Sequence, residues 1–201
     1  MPTTRADEAP FLQAHALLRR SGAEAVAHPG GTLLAHLDRV RRRLAGWSAP
    51  PALQLAGLCH ACYGTDGFPA ALLTLDRRAD LASVIGAEAE ATVYAYAACD
   101  RAATYPTLAV PGPGAPLHDR FTGTARPIGL RLRRDIAELT AANELDLARH
   151  DPVFRDRWGP DLLALLTRLR PLLSEAAWRD SRSILAPPSR TVPPRTPVPE
   201  G

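Results

Sequence analysis

The sequence predicts an all-α protein built as one irregular helical bundle. Between its prolines and glycines, most segments repeat apolar residues every three or four positions, as amphipathic helices do. No segment carries a competing strand pattern. The chain has 201 residues, of which 46% are hydrophobic, and this suits one domain with a sizeable core. We therefore predict a single domain over residues 1–186, followed by a disordered proline-rich tail at 187–201.

Three helices are predicted in the first 62 residues. Pro10 can open the first helix, which ends before Gly22. Thr32 is well placed as the N-cap of the second helix, which should run to about Gly46. The third begins at the Pro50–Pro51 pair and is apolar nearly all round, as expected of a helix through the middle of a domain.

The rest of the chain alternates helices with glycine- and proline-rich breaks. We expect a loop over residues 63–69, helices over 76–85 and 88–101, and a long loop without regular structure, a candidate lid, over 104–127. Helices should resume at 128–149 and 160–173. Ser174 is then a plausible N-cap for a last helix ending at Leu185.

Composition limits the partners and the compartment. The net charge of +3 is mild and every basic residue is an arginine placed among acids, so no nucleic-acid partner is indicated. Neither a signal peptide nor a membrane span is visible, and the three cysteines suit reduced thiols. We expect a cytoplasmic protein with a small-molecule substrate, and its oligomeric state stays open. The P-loop, dinucleotide-binding and hydrolase-elbow motifs are absent.

Three predicted helices each offer one potential metal ligand. These residues are His36, His60 and Asp100. A metal site in a helical bundle needs ligands from different helices, because one helix surface cannot surround an ion. An equally open interpretation is that His36 and His60 are core histidines bonded to backbone atoms or to Asp100.

The strings around these residues resemble the HD superfamily, the all-helical phosphohydrolases that include the (p)ppGpp hydrolases. HLDRV at His36 resembles the first ligand helix, LAGLCH at His60 resembles the second, and the helix ending at Asp100 is similar to the one with the last aspartate. The resemblance covers about residues 28–101 and implies an HD-like fold with one divalent Zn, Mn or Fe ion. Ala61 stands where the superfamily has the aspartate of its His-Asp doublet.

A second pattern is more specific. The string H-x-G-G-T-L-L-x-H-L, followed by L-A-G-L-x-H-A-x-Y-G-T, is similar to an uncharacterised bacterial and plant family of HD-like proteins. Membership implies that Ala61 is typical of the family and that His28 could be a fourth ligand. We know of no established activity that this family confers.

Further candidates surround His60 or lie on a later helix. The loop beyond His60 offers Tyr63 and Thr65 as catalytic groups and Asp66 and Phe68 as substrate contacts. Equally, its glycines may serve only a tight turn. Asn143, the one asparagine of the chain, shares a helix face with Asp146 and is a further candidate for substrate binding.

These observations favour a single-metal enzyme acting on a small molecule, most plausibly a hydrolase of a phosphorylated or nucleotide-like metabolite. The alternative is a degenerate HD-like fold that binds a metabolite or partner without catalysis. A third hypothesis is an iron-dependent oxygenase on the same scaffold.

Overall fold

Helices make up most of the described chain, as the apolar periodicity predicted. The structure, a computed structural model, describes residues 5–112 and 114–186, and the predicted tail at 187–201 lies outside them. The helices in these ranges are α1 (Arg5–Arg20), α2 (Leu33–Gly46), α3 (Pro51–Cys59), α4 (Arg78–Ile85), α5 (Ala87–Ala98), α6 (Arg101–Leu108), α7 (Leu130–His150), α8 (Pro152–Arg168) and α9 (Glu175–Leu185). Single 3-10 turns precede α4 and follow α8.

Two antiparallel hairpins interrupt the helices, and neither was predicted. The strands are β1 (Ala27–His28), β2 (Gly31–Thr32), β3 (Ala115–Asp119) and β4 (Thr124–Ile128). In the first hairpin Gly30 has a φ of +76° and lies against the His150 side chain, so that a Cβ atom there would be 2.9 Å from the His150 Cβ. This turn fixes where His28 enters the fold.

The prediction of an irregular loop over 104–127 was wrong, because α6 and the β3–β4 hairpin occupy much of it. Asp100 caps α6 by accepting a hydrogen bond from the Ala103 N–H at 2.9 Å. In the hairpin, Asp119 Oδ1 accepts from the backbone N–H groups of Phe121 and Thr122, and Gly123 adopts a φ of +69°. These local side-chain bonds build the turn despite the surrounding prolines.

Helices α2 and α3 approach each other most closely at Gly57. A Cβ atom at this position would lie 2.4 Å from Leu44 Cδ1, so only glycine fits without movement. Thr32 caps α2 as predicted, with Oγ1 accepting from the Ala35 N–H. The predicted start of α3 after Pro50 is also confirmed. The pair brings His36 and His60 to the same depth of the bundle.

Helix α7 is the long central element of the carboxyl-terminal half and packs on α2, α5, α8 and α9. Five of its polar or charged side chains besides Arg133 are buried, namely Glu138, Thr140, Asn143, Glu144 and Asp146. Buried polar groups need partners, so such a face marks a place where helices meet through hydrogen bonds. The apolar residues from Ala14 to Leu185 form one continuous cluster around it.

Within 5–112 and 114–186, no helix combines the length and the apolar composition needed to span a bilayer.

Candidate functional site

The three predicted histidines line one cavity between α2, α3 and α7. Its volume is about 340 Å³. The polar residues of its wall are His28, His36, His60, Thr65, Asp66, Arg101, Asn143 and Glu144. His36 and His60 are almost fully buried, and their rings meet edge to face with centroids 5.3 Å apart.

Asp146 of α7 holds the His36 ring in place. His36 Nδ1–H donates to Asp146 Oδ2 at 2.7 Å. Arg39 adds two-pronged bonds to the same carboxylate and also reaches the carbonyl groups of Pro29 and Gly30. Burial alone would raise the pKa of Asp146, but the bonds from His36 and Arg39 hold it well below its usual range. The carboxylate is therefore ionised, and the His36 proton resides on Nδ1.

His60 faces an oxygen atom with each of its ring nitrogens. Nδ1 lies 2.8 Å from the Gly57 carbonyl oxygen, and Nε2 lies 3.1 Å from Asn143 Oδ1. Burial, with a smaller contribution from His36, lowers the pKa of His60 to about 3, so the ring is neutral at physiological pH. A neutral imidazole has one proton, which can serve only one of two acceptors. With that proton on Nδ1, the Nε2 lone pair points at Asn143 Oδ1, which is also a hydrogen-bond acceptor.

The Asn143 amide does not relieve this mismatch by rotation. As placed, Nδ2 donates to Glu144 Oε1 at 3.1 Å, while Oδ1 lies 3.1 Å from both His36 Nε2 and His60 Nε2. Exchanging the amide oxygen and nitrogen would satisfy both rings but would press Oδ1 against Glu144 Oε1. Glu144 Oε1 already accepts from Arg101 at 2.9 Å, as an ionised carboxylate does. As placed, both Nε2 atoms face Oδ1 without a proton when each ring carries its proton on Nδ1, and the exchanged amide leaves one oxygen–oxygen contact, so neither orientation satisfies every group.

His28 stands at the more open side of the cavity. Its ring stacks on His36 with centroids 4.0 Å apart, and Phe68 contacts its edge at 5.6 Å. Burial, followed by the effect of His36, lowers the pKa of His28 to about 4. Among the described residues its buried Nδ1 finds no hydrogen-bond partner. His28 thus joins the cluster as a neutral ring with an unused polar atom.

The loop beyond His60 covers the cavity, as the sequence indicated. Thr65 and Phe68 exchange backbone hydrogen bonds of 2.8 and 3.1 Å, which close a tight turn around Asp66 and Gly67. Thr65, Asp66 and Phe68 all line the cavity. Asp66 Oδ2 also accepts from the Arg101 N–H at 2.9 Å, which ties the loop to the start of α6.

Two predicted site residues have other contacts. Tyr63 is buried and its hydroxyl donates to Glu90 Oε1 at 3.1 Å, in a group that also contains Arg78. Burial, then Glu90, raises the pKa of the Tyr63 phenol strongly. Asp100 caps α6 as described above. Neither residue is part of the cavity wall.

Sequence reasoning missed Arg101 and gave Asp146 and Glu144 only passing weight. Asp146 could have been found, since it shares a helix face with Asn143 and carboxylate partners of buried histidines are common. Arg101 had no such signal, because its neighbours come from α5, α7 and the covering loop. Within 5–112 and 114–186, no three His, Cys, Asp or Glu side chains are arranged to share one metal ion. Besides His36 Nε2 and His60 Nε2, the atom that meets them at 3.1 Å is Oδ1 of the Asn143 amide.

Part of the chain is similar to a known protein family. Residues 17–101 match the family model called Domain of unknown function (DUF6817). This match supports the predicted similarity to an uncharacterised domain family. The DUF6817 segment contains His28, His36, His60 and Arg101 but stops before Asn143. No curated protein and no solved structure matches the chain.

Proposed function

We propose that the protein is a hydrolase of small phosphorylated metabolites that uses one divalent metal ion held by His36, His60 and Asn143. The observation that carries the proposal is the proton count at His60. Each of its nitrogens faces an oxygen atom, and the neutral ring has one proton to offer. A cation between His60 Nε2 and Asn143 Oδ1 would give both atoms a partner, and the one His60 proton could then stay on Nδ1 and bond the Gly57 carbonyl.

The donor set suits such an ion. Both imidazole groups direct a protonated Nδ1 at a fixed oxygen and leave Nε2 as a ligand, the arrangement found around metal-bound histidines. Two donor atoms that each lay about 2.1 Å from one ion would be about 3.0 to 3.4 Å apart, from an octahedral to a tetrahedral arrangement. The two contacts between Asn143 Oδ1 and the imidazole nitrogens measure 3.1 Å. Mixed nitrogen and oxygen donors favour Zn, Mn or Fe.

The charges of the wall favour an anionic substrate only when the ion is bound. Asp66 and Glu144 together oppose Arg101, so these three side chains of the wall carry a formal charge of −1. A divalent ion changes this to +1. Phosphate would then be attracted, whereas the metal-free cavity would repel it.

Each residue has a distinct part in this mechanism. When bound, the metal lowers the pKa of a coordinated water and so supplies a nucleophile near neutral pH. Asp146 fixes the His36 ring, and the Gly57 carbonyl fixes that of His60. Thr65 offers a hydroxyl to a substrate oxygen. Phe68 and the covering turn restrict water above the cavity.

An HD-like ancestry is part of the same proposal. Two observations support it. His36 and His60 come from the consecutive helices α2 and α3, which pack together, as the resemblance implied. Asn143 of α7 then provides the third polar group beside the two rings. In this scheme Asn143 acts where we had expected Asp100. Three buried free cysteines fit a reducing compartment such as the cytoplasm.

A non-catalytic binding module is the second candidate. The favouring observation is that the charged groups of the wall are already paired with one another. Arg101 bonds Glu144 and the Tyr96 hydroxyl, and Glu144 accepts from Asn143. Such a closed network suits recognition of a neutral metabolite as well as it suits a metal site.

Metal analysis separates the two candidates. Untagged wild-type protein, His60→Ala and the control His118→Ala are purified without chelator and analysed by plasma mass spectrometry. We expect close to one Zn, Mn or Fe per chain in the wild type and control, and loss of it in His60→Ala. The loaded protein is then screened against phosphate monoesters. A folded wild type that takes up none of the three ions contradicts the metalloenzyme and leaves the binding module.

A further inference from the structure

A second cavity adjoins the histidine cavity and differs from it in chemistry. It lies between α6 and α8 and has a volume of about 620 Å³. Its wall is mostly apolar, formed by Tyr105, Pro106, Phe154, Trp158, Leu162 and Leu165. Cavities of this size and lining are typical of small-molecule sites.

The two cavities share part of their walls. Gly67, Arg101, Glu144 and Phe154 line both of them. A molecule with a polar group beside His36 and His60 could therefore extend past the Arg101–Glu144 pair and place its remainder against α8. This continuity favours the distal part of the same ligand as the occupant of the second cavity.

The second cavity has no excess of charge but a large unused apolar surface. Asp161 and Arg168 balance each other, as do Glu144 and Arg101. Trp158 is 42% exposed, although an aromatic ring gains most from being covered. Arg157 already lies over this ring, with its guanidinium carbon 4.9 Å from the centroid. An apolar group would cover the indole surface that remains exposed, and a flat ring would stack well against it.

We propose that the substrates are phosphate monoesters of aromatic or other bulky apolar alcohols. Phosphate binds in the histidine cavity and the organic group in the cavity at Trp158. The binding of phosphate rests on the proposed function, whereas the binding of the organic group rests on the apolar cavity between α6 and α8. The proposal therefore excludes small, fully polar phosphorylated metabolites as preferred substrates.

Calorimetric titration with stable analogues tests both parts. The probes are 1-naphthylmethylphosphonate, methylphosphonate and 1-naphthol, titrated into the full chain with and without Mn²⁺. Burial of a naphthyl group should make the first probe bind at least tenfold more tightly than methylphosphonate. This advantage should largely disappear in Trp158→Ala and Leu162→Gln. Val153→Ala is the matched control, because Val153 lies exposed on the same helix and outside both cavities.

The outcomes separate the two proposals. Equal affinities for the two phosphonates, or an advantage that survives in Trp158→Ala and Leu162→Gln, would overturn the inference while leaving metal-dependent phosphonate binding intact. If no metal binds and neither phosphonate binds, the proposed function fails. In that case 1-naphthol binding that is lost in Trp158→Ala but kept in Val153→Ala would still support the apolar cavity, and no naphthol binding would reject it.

Discussion

His36 Nδ1 and Asp146 Oδ2 lie 2.7 Å apart although 110 positions of sequence separate them. Both side chains are 1% exposed, so the pair is formed inside the protein and joins α2 to α7. Because the carboxylate fixes the proton on Nδ1, it determines that Nε2 faces the cavity. The relationship therefore links the packing of two helices to the chemistry of one ring.

Replacing Asp146 should weaken metal binding without removing a ligand. In Asp146→Asn we expect a 10- to 100-fold loss of affinity for added Zn²⁺, the usual effect of removing such a supporting carboxylate. Competition with a chromogenic chelator measures it, and circular dichroism verifies the fold. Asp38→Asn, on the helix that carries His36 but paired with surface arginines, should bind as the wild type does. Unchanged affinity in Asp146→Asn would argue that His36 is no ligand.

Replacing the amide of Asn143 by a carboxylate should strengthen metal binding. Asn143→Asp adds a negative charge next to two nitrogen lone pairs and also sets an oxygen against Glu144 Oε1, which destabilises the metal-free site. A divalent ion should therefore bind at least tenfold more tightly than in the wild type, about 1.4 kcal/mol. The thermal midpoint should accordingly rise more on adding Zn²⁺ than in the wild type, since a ligand that binds the folded state stabilises it. Asn143→Leu should show no such rise. Equal responses in all three proteins would remove Asn143 from the site.

Gly57 should be the least replaceable glycine of the helical core. An added methyl group would clash with Leu44 at 2.4 Å, so Gly57→Ala should lower the free energy of unfolding by about 1–3 kcal/mol. Urea denaturation measures the change. At Gly46, the last residue of α2, nothing lies within 4 Å of an added Cβ, and alanine there should be neutral or stabilising. A Gly57→Ala protein as stable as the wild type would mean that α2 and α3 pack less closely.

Glu138 should make stability depend on pH. Oε1 accepts from the Ser174 N–H, whereas Oε2 is buried without a partner among the described residues, and burial raises the pKa of this carboxyl. Between its ordinary pKa of 4.5 and the raised value, the folded protein keeps a proton that the unfolded chain has lost. Above the raised pKa the folded protein must hold an unfavourable charge, so stability falls as pH rises through the window between the two values. Below that window the penalty is absent.

Glu138→Gln keeps the size of the side chain and removes the charge. At pH 8 it should exceed the wild type in stability by about 1 kcal/mol, the order expected for one unsatisfied buried group, and the difference should vanish near pH 4. Thermal unfolding at both pH values provides the measurement. Glu24→Gln is the control, since Glu24 is more than half exposed. A difference that grows toward acid pH would have the wrong sign for this account.

Sequence reasoning located the helices around the site because their signals are local. Thr32 and Ser174 act as N-caps as predicted, and Gly86 separates α4 from α5. The histidines and the covering turn were also found together in the cavity. The hairpin at 115–128 was missed because its five-residue strands contain prolines, and because the turn depends on side-chain bonds made by Asp119.

The composition of the site was harder to predict for a different reason. Asp100 follows α5 in the sequence, but its backbone N–H bonds to the His118 carbonyl and its side chain caps α6, so it serves the junction with the hairpin. Asn143 reaches the histidines only because α7 packs against α2, which is a tertiary contact. The spacing of residues along the sequence predicts neither the contacts of Asp100 nor those of Asn143.

The position of Asn143 and Asp146 on α7 places partners of the histidines outside the segment that matches the family model. Residues 17–101 define the family match, yet two oxygen-bearing partners of its histidines lie more than 40 residues further on. A protein shortened to that segment would keep all three imidazole rings and lose the groups that orient His36. The histidine cavity is thus built from a longer stretch of chain than the segment that sequence similarity recognises.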